Sequence, residues 1–298
     1  MEMPDDSTCD PAAKAAARRG VGGVRLLGQG SNNFVFAGDG IVVKLSKPHR
    51  EAGALGEYRK EAWCSGAARA RGVRTPEVLE FGTLEGRAFQ IQEFVAGHAP
   101  AAAEAASTWR ALGDAARRIN GIAVEGWGGS MAADGVFAES WAQHLAYNIA
   151  SLTDADPLIA RGVLDAASSA QLRAAFERLA AGSFRFALCH ADLALWNTLI
   201  DAEGQVWLLD WGCAVAHVVP HHEFNEIARG ARPDAAMMGA FLEGYGMSRT
   251  EYDALRPERR ALSALREVDT LRWALEKSPG DVAEMSQRAR TAVERAGR

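Results

Sequence analysis

Asp192, Asn197 and Asp210 bring three oxygen-bearing side chains into residues 184–212 (FRFALCHADLALWNTLIDAEGQVWLLDWG), a stretch that otherwise carries the hydrophobic pattern of a protein interior. A carboxylate stripped of water there is costly unless a cation or hydrogen bonds satisfy it. A divalent metal is the natural partner. Hard Asp and Asn oxygens suit Mg2+, which keeps several waters and is usually shared with substrate phosphates. Phe184, Phe186 and Leu188 alternate as the buried face of a strand, the alternation stops at His190, and residues 191–196 read as a loop leaving that strand. Two short apolar runs follow, residues 198–200 and 205–209, and the Asp201-Ala-Glu-Gly204 between them has turn chemistry. A hairpin there returns Asp210 beside Asn197, close to the loop that carries Asp192.

The elements that position this cluster begin far upstream. Asp10-Pro11 followed by AAKAAARR predicts a capped helix with Pro at its first position, lying at the surface. Residues 24–47 predict three strands: VRLL, then a turn of small residues through Gly28, Gly30, Ser31 and Asn32, then FVFA, a second turn at Gly38-Asp-Gly40, and a third strand running out as VVKLS. Small residues in the first turn let backbone N–H groups approach phosphates. Lys44 is a charge in an otherwise apolar strand, where it needs a reason. Residues 50–71 read as a helix that offers Glu61 as its partner, with Glu57 one turn earlier as the alternative. Residues 73–82 and 86–95 predict a further hairpin. From residue 101 the chain turns Ala-rich and helical, with helices over 101–122, 139–153 and 157–181. Gly126-Trp-Gly-Gly-Ser130 reads as a loop with an aromatic tip, and residues 224–295 as helical.

The order H-x-D-x-x-x-x-N, hairpin, D-x-G is that of a kinase-type phosphoryl-transfer site. In that scheme Asp192 accepts or orients the proton of an attacking hydroxyl, Asn197 and Asp210 hold metal on nucleotide phosphates, and His190 pins the loop by a backbone hydrogen bond. His190-Ala-Asp192-Leu-Ala-Leu-Trp-Asn197, followed by Leu209-Asp210-Trp-Gly212, resembles the catalytic and metal motifs of the aminoglycoside phosphotransferase family, the small-molecule branch of the protein-kinase-like fold. The resemblance implies an α+β, bilobal fold: a β-rich N-lobe with one main helix over residues 1–95 and a larger, mainly helical C-lobe over 96–298. It implies ATP or GTP as donor, Lys44 on the α- and β-phosphates with Glu61 as its partner, and backbone groups of Glu93, Phe94 and Val95 on the base edge at the hinge. Ala191 stands where most members have Gly, and His221 and Phe224 stand where relatives commonly carry Asp and Tyr.

The stretch Pro76-Glu-Val-Leu-Glu-Phe-Gly82, with His-Ala-Asp and Asp-Trp, is most similar to hygromycin B phosphotransferases. That implies an antibiotic kinase giving resistance or self-resistance, with an aminoglycoside, aminocyclitol or nucleoside-type antibiotic as hydroxylated acceptor. C-terminal helices line the acceptor site in the family. Glu267, Asp269, Arg272 and Trp273, near one another on one helix, and Trp196 beside Asn197 are the candidate substrate contacts. No strong acidic excess appears there, which weakens the case for a highly cationic acceptor. A metabolic kinase for homoserine, choline, a sugar or a fructosamine would use the same catalytic residues. From another class comes a nucleotide-binding pseudokinase, opposed by intact Lys44, Asp192, Asn197 and Asp210.

With 298 residues, 48% of them apolar, the chain can bury one large core or two lobes. A net charge of -5 without a Lys/Arg run gives no footprint for nucleic acid. Cys9, Cys64, Cys189 and Cys213 lack paired spacing, which favours free thiols and a reducing cytoplasm; Cys189 and Cys213 read as small buried residues in strands. The first residues are polar and acidic, unlike a signal peptide, and no apolar run approaches the roughly 20 residues of a membrane span. The expected assembly is a monomer or homodimer. His217, His221 and His222 give no zinc site, because Pro220 breaks the helix that would align them and no further Cys/His pair closes a tetrahedron.

Overall fold

The computed structural model describes residues 6–30 and 32–297. Helix α1 (Asp6–Ala17) leads into β1 (Arg25–Gln29), β2 (Asn33–Ala37) and β3 (Ile41–Ser46), followed by α2 (Glu51–Ala70), β4 (Val78–Leu84) and β5 (Arg87–Glu93). These strands make one antiparallel sheet in the order β1-β2-β3-β5-β4. β3 is buried along its whole length, as an apolar central strand should be. α1 departs from expectation twice. It starts a turn before Pro11, which sits inside it, and it is no surface element: Ala12, Ala15 and Ala16 are fully buried against Phe36, Val43, Phe89 and Ile91. Alanine lets a helix lie close on a sheet, so the run that reads as bland surface is a packing face.

The rest of the chain is mainly helical. α3 (Ala105–Ile119) is followed by β6 (Trp127–Ala133), β7 (Val136–Glu139), α4 (Trp141–Ser151), α5 (Pro157–Ala160) and α6 (Ala166–Ala181). β8 (Phe186–Cys189), β9 (Thr198–Ile200), β10 (Val206–Leu208) and β11 (Val215–Val218) then carry the cluster described above. α7 (His221–Arg229), α8 (Ala235–Tyr245), α9 (Arg249–Ala254), α10 (Arg256–Lys277) and α11 (Val282–Ala296) complete it. β9 and β10 pair with each other, while β7-β6-β11-β8 form a four-stranded sheet. Residues 126–130 are therefore mostly strand, not loop. Gly126 and Gly128 have positive φ and β6 is bulged, so the glycines mark close backbone approach and not a connection. Trp127 is buried against Trp141, His144 and His217.

α3 and α8 cross so closely that a Cβ on Gly113 would overlap the Phe241 carbonyl, and one on Gly244 the Arg110 carbonyl. This contact anchors a core that also takes in Cys64, Ala68 and Val73 from α2 and its exit, and so joins the helix bearing Glu61 to the helical part. Among the described residues no helix is long and apolar enough to cross a membrane.

Candidate active site

β3 holds Lys44 opposite Val35 and Gln90, and α2 lays Glu61 against it. Lys44 Nζ lies 2.8 Å from Glu61 Oε2 and 3.5 Å from Asp210 Oδ1, with Lys44 and Glu61 both buried. Glu57 goes instead to Arg50, at 2.8 Å. Burial pulls the ammonium towards neutrality, but the Glu61 and Asp210 carboxylates more than reverse it, so the Lys44 pKa is raised. Burial likewise opposes the Asp210 carboxylate. Lys44, the Gly212 N–H and His190 outweigh it and hold Asp210 below its ordinary pKa.

The loop that bears Asp192 leaves β8 at His190. Asn197 Nδ2 donates to Asp192 Oδ2 at 2.7 Å and to the Asp192 carbonyl at 2.9 Å. With its NH2 spent on Asp192, the side-chain oxygen Oδ1 of Asn197 has no hydrogen-bond donor among the described residues. The hairpin brings the ends together: Leu209 N donates to the Asn197 carbonyl at 2.8 Å, immediately before Asp210. His190 Nε2 lies 3.1 Å from the Leu209 carbonyl, and Asp192 N donates to His190 Nδ1 at 3.3 Å. Burial depresses the His190 pKa to about 4, so at neutral pH the ring is neutral, with Nε2–H donating and Nδ1 accepting. His190 thus ties the loop to the strand that delivers Asp210. Trp211 packs edge-on to His190, with centroids 4.8 Å apart, and donates from Nε1 to Thr75 Oγ1 at 2.8 Å. Lys60 Nζ donates to the Gly212 carbonyl at 3.0 Å, a second tie between α2 and this loop.

Glu223, on α7, is the residue that sequence reasoning missed. Its carboxylate accepts from His190 N at 2.9 Å and from Ala191 N at 3.0 Å, and it is fully buried. Ala191 has φ +63°, the left-handed region in which a Cβ costs about 1–2 kcal/mol, so the two bonds hold the chain where glycine would sit without strain. The only signal was a Glu at the end of a histidine-rich string. In the histidine string His217 stacks on His222, with ring centroids 3.8 Å apart.

The nucleotide-side candidates are placed as follows. A Cβ added at Gly28 or Gly30 would meet no atom of the described residues, chain neighbours apart, within 4 Å. Gly30 N closes the turn between β1 and β2 on the Asn33 carbonyl at 2.9 Å, and the Asn32 carbonyl accepts from Lys47 N at 2.8 Å. Ser31 lies outside the described residues. At the hinge, the Glu93 and Phe94 N–H groups are taken by the Glu77 carbonyl at 2.9 Å and the Gly40 carbonyl at 3.0 Å. Of those three N–H groups, only that of Val95 has no backbone acceptor among the described residues. Beyond it Gly97 presses on β9, where a Cβ would stand 2.7 Å from the Ile200 carbonyl oxygen.

The substrate-side candidates do not form one group. Glu267 is buried against Arg288 on α11 at 2.8 Å, and it lines a cleft. Arg272 points elsewhere, buried on Asp156 at 2.6 Å and Asn148 at 2.7 Å, where it braces the helices. Asp269 accepts from the same Asn148 at 3.1 Å. Trp273 and Trp196 are exposed, the latter beside Asn197. The divergence is helical geometry: Glu267 faces Arg288 on α11, while Asp269 and Arg272 share Asn148 on α4. Cys189 is buried in β8, but Cys213 is exposed in the turn after Gly212.

A sequence profile of the phosphotransferase enzyme family matches residues 23–262. The chain belongs to this family. Solved structures of similar fold include the aminoglycoside phosphotransferase APH(4)-Ia, at 20% identity and TM-score 0.67, covering 95% of this chain and 98% of that one. The GDP and kanamycin complex of an APH(2") enzyme follows at 14% identity and TM-score 0.64, covering 95% and 97%. A choline/ethanolamine kinase family protein from Mesorhizobium loti stands at 19% identity and TM-score 0.61, covering 98% and 92%. No curated protein sequence matches the chain. As a family member the chain is a phosphotransferase, and its α+β architecture, a β-rich sheet followed by a helical part, is that of its kinase-like neighbours.

Proposed function

We propose that this chain moves the γ-phosphoryl group of ATP or GTP to a hydroxyl of a small molecule, and that the acceptor is an antibiotic, so that the reaction confers resistance or self-resistance. One observation carries the reading. Lys44, paired with Glu61 at 2.8 Å, stands 3.5 Å from Asp210, while Asn197 holds Asp192 at 2.7 Å, so that phosphate-binding, metal-binding and proton-accepting groups converge.

Asp192 Oδ2 is held by Asn197, which leaves Oδ1 to receive the acceptor hydroxyl. That hydroxyl oxygen forms the new bond to Pγ as the bond from Pγ to the β,γ-bridging oxygen breaks; the nucleoside diphosphate leaves, and the hydroxyl proton goes towards Asp192. Lys44 neutralises charge on the donor phosphates. The free Asn197 oxygen and the Asp210 carboxylate fit Mg2+, which takes few protein ligands and completes its shell with water and phosphate oxygens. When bound there it would neutralise charge on the β- and γ-phosphates. His190 and Glu223 touch no reacting atom and act by positioning.

The work of phosphoryl transfer here is placement and charge neutralisation, so it needs no further protein chemistry. Solved structures of similar fold support the acceptor class: they include complexes with ADP and hygromycin B and with GDP and kanamycin. A metabolic alcohol as acceptor is the second reading, favoured by similarity to the choline/ethanolamine kinase family protein. A cytoplasmic location, as monomer or homodimer, completes the proposal. The test is a transfer screen with Mg2+, ATP and GTP in parallel, antibiotics beside common metabolites, scored by the mass gain of one phosphoryl group. Phosphorylation of an antibiotic supports the first reading, and of a metabolite alone the second.

A further inference from the structure

Helices α7, α8, α9, α10 and α11 line a cleft of about 1060 Å³. Nine arginines line it against five aspartates and glutamates, in a chain whose formal net charge is -5. The cleft therefore reverses the sign of the molecule. Arg229, on its wall, is also within electrostatic reach of Cys213 and Asp192, so the cleft lies near the loop that bears Asp192.

The arrangement of these arginines separates them from an ordinary solvated face. Arg229 ends α7, Arg266 lies on α10 and Arg288 on α11, so three helices each present a guanidinium. Buried Glu226 is shared by Arg229 and Arg266, and buried Glu267 takes Arg288 at 2.8 Å. These three positive charges meet two buried negative ones, and a third carboxylate, exposed Glu284, stands 3.9 Å from Arg288. Each guanidinium has five N–H donors in a fixed fork, more than those carboxylates consume. The crowding shows in titration: burial, then repulsion from Arg288, lowers the Arg229 pKa, and burial with the same neighbour lowers that of Arg266. Beside them Glu267 Oε2 is buried with no hydrogen-bond partner among the described residues, an acceptor awaiting a donor on the cleft wall.

A polycationic acceptor would set ammonium groups against these guanidiniums, whereas planar, bidentate recognition of carboxylate or phosphate is what arginine does best. We infer that the acceptor carries an anionic oxygen group, a carboxylate or a phosphate, held by Arg229, Arg266 and Arg288, while Glu267 takes a hydroxyl or amine donor of the same molecule. Calling that molecule the acceptor rests on the phosphotransfer reading above; the anion preference of the cleft does not.

The test is calorimetric titration of the full chain, saturated with Mg2+ and ADP to close the nucleotide site, with four sugar probes: D-glucose 6-phosphate, D-glucuronate, D-glucose and D-glucosamine. One or both anionic probes bind about ten-fold or more tightly than glucose, because a charge-assisted hydrogen bond contributes at least that much, and whichever does so tells phosphate from carboxylate. Arg229→Gln and, separately, Arg266→Gln erase the preference. In each variant Glu226 keeps one arginine, and unchanged ADP affinity shows that the fold survives. Glucose or glucosamine binding as tightly as both anions overturns the inference, as does a preference that outlives both substitutions. Anion binding without phosphate transfer to any acceptor would retain the anion cleft and sink the phosphotransfer reading. Turnover of a neutral or cationic alcohol held more tightly than any acid would do the reverse.

Discussion

Replacing Glu223 by Gln takes away one of the two oxygens that can accept a hydrogen bond from the catalytic loop. In the native protein one oxygen serves His190 N at 2.9 Å and the other Ala191 N at 3.0 Å. Burial raises the Glu223 carboxyl to about 7, against the Ala191 and His190 N–H groups and the Asn120 amide, all of which favour the ionised form. Only that ionised form offers two full acceptors, so wild-type kcat/KM rises with pH through about 7. Stability runs the other way. Because the folded pKa of about 7 exceeds the ordinary 4.5, folding takes up a proton; the contribution is complete below about 4.5 and lost as pH climbs through about 7, roughly 3 kcal/mol in all. In Glu223→Gln one loop N–H faces an amide NH2, at a cost of about 1–3 kcal/mol, offset in part by the uncharged side chain. If about 1.4 kcal/mol of that falls on the catalytic arrangement, kcat drops about ten-fold, while Mg2+ and ADP bind as before. The assay is phosphate transfer from pH 5.5 to 8.5, with denaturant unfolding over the same range. A variant that keeps the wild-type kcat and the same rise near neutrality would refute the positioning role.

Three further outcomes follow from the geometry. Lys44→Met strands Glu61 in the interior and costs about 3–5 kcal/mol in denaturant unfolding, whereas adding Glu61→Met recovers most of that without restoring turnover; recovery of activity in the double variant would dismiss Lys44 as a phosphate ligand. At φ +63° a β-branched side chain is far worse than alanine, so Ala191→Val loses most turnover, and Ala191→Gly stays within about 1 kcal/mol of wild type in thermal unfolding. Gly113→Ala forces α3 off α8 and destabilises by about 1–3 kcal/mol, with a change of that size in chemical denaturation as the readout and a wild-type midpoint as the contrary result.

Much of the site was legible because its spacing is local. His190, Asp192 and Asn197 share one loop, and a hairpin of ordinary turn chemistry returns Asp210 to it, so no long-range packing had to be guessed. Lys44 was visible as a charge in a buried strand. Choosing Glu61 over Glu57 needed the orientation of α2, which the sequence only narrowed to two adjacent turns. Glu223 was invisible for the opposite reason: it acts across 32 and 33 residues on backbone N–H groups, which leave no residue-type signature. The same limit applies to the candidate hinge, where the carbonyls of Glu77 and Gly40 take the Glu93 and Phe94 N–H groups. Composition misled at α1, where alanines are a packing face, and at Gly126 and Gly128, where glycines shape a strand. On the acceptor side, Glu267 and Arg272 are five positions apart on one helix yet serve different partners, so proximity in sequence did not become a shared site.

The account turns on Asp192 as the group that receives the acceptor hydroxyl. The direct measurement is single-turnover transfer of the γ-phosphoryl group to whichever acceptor the screen yields, comparing wild type with Asp192→Asn at matched Mg2+ and nucleotide occupancy. The account predicts that the variant binds nucleotide unchanged and transfers phosphate about 100-fold more slowly or worse, the usual contribution of a positioned base. Transfer at the wild-type rate by Asp192→Asn would contradict it and move the search for the proton acceptor away from this loop.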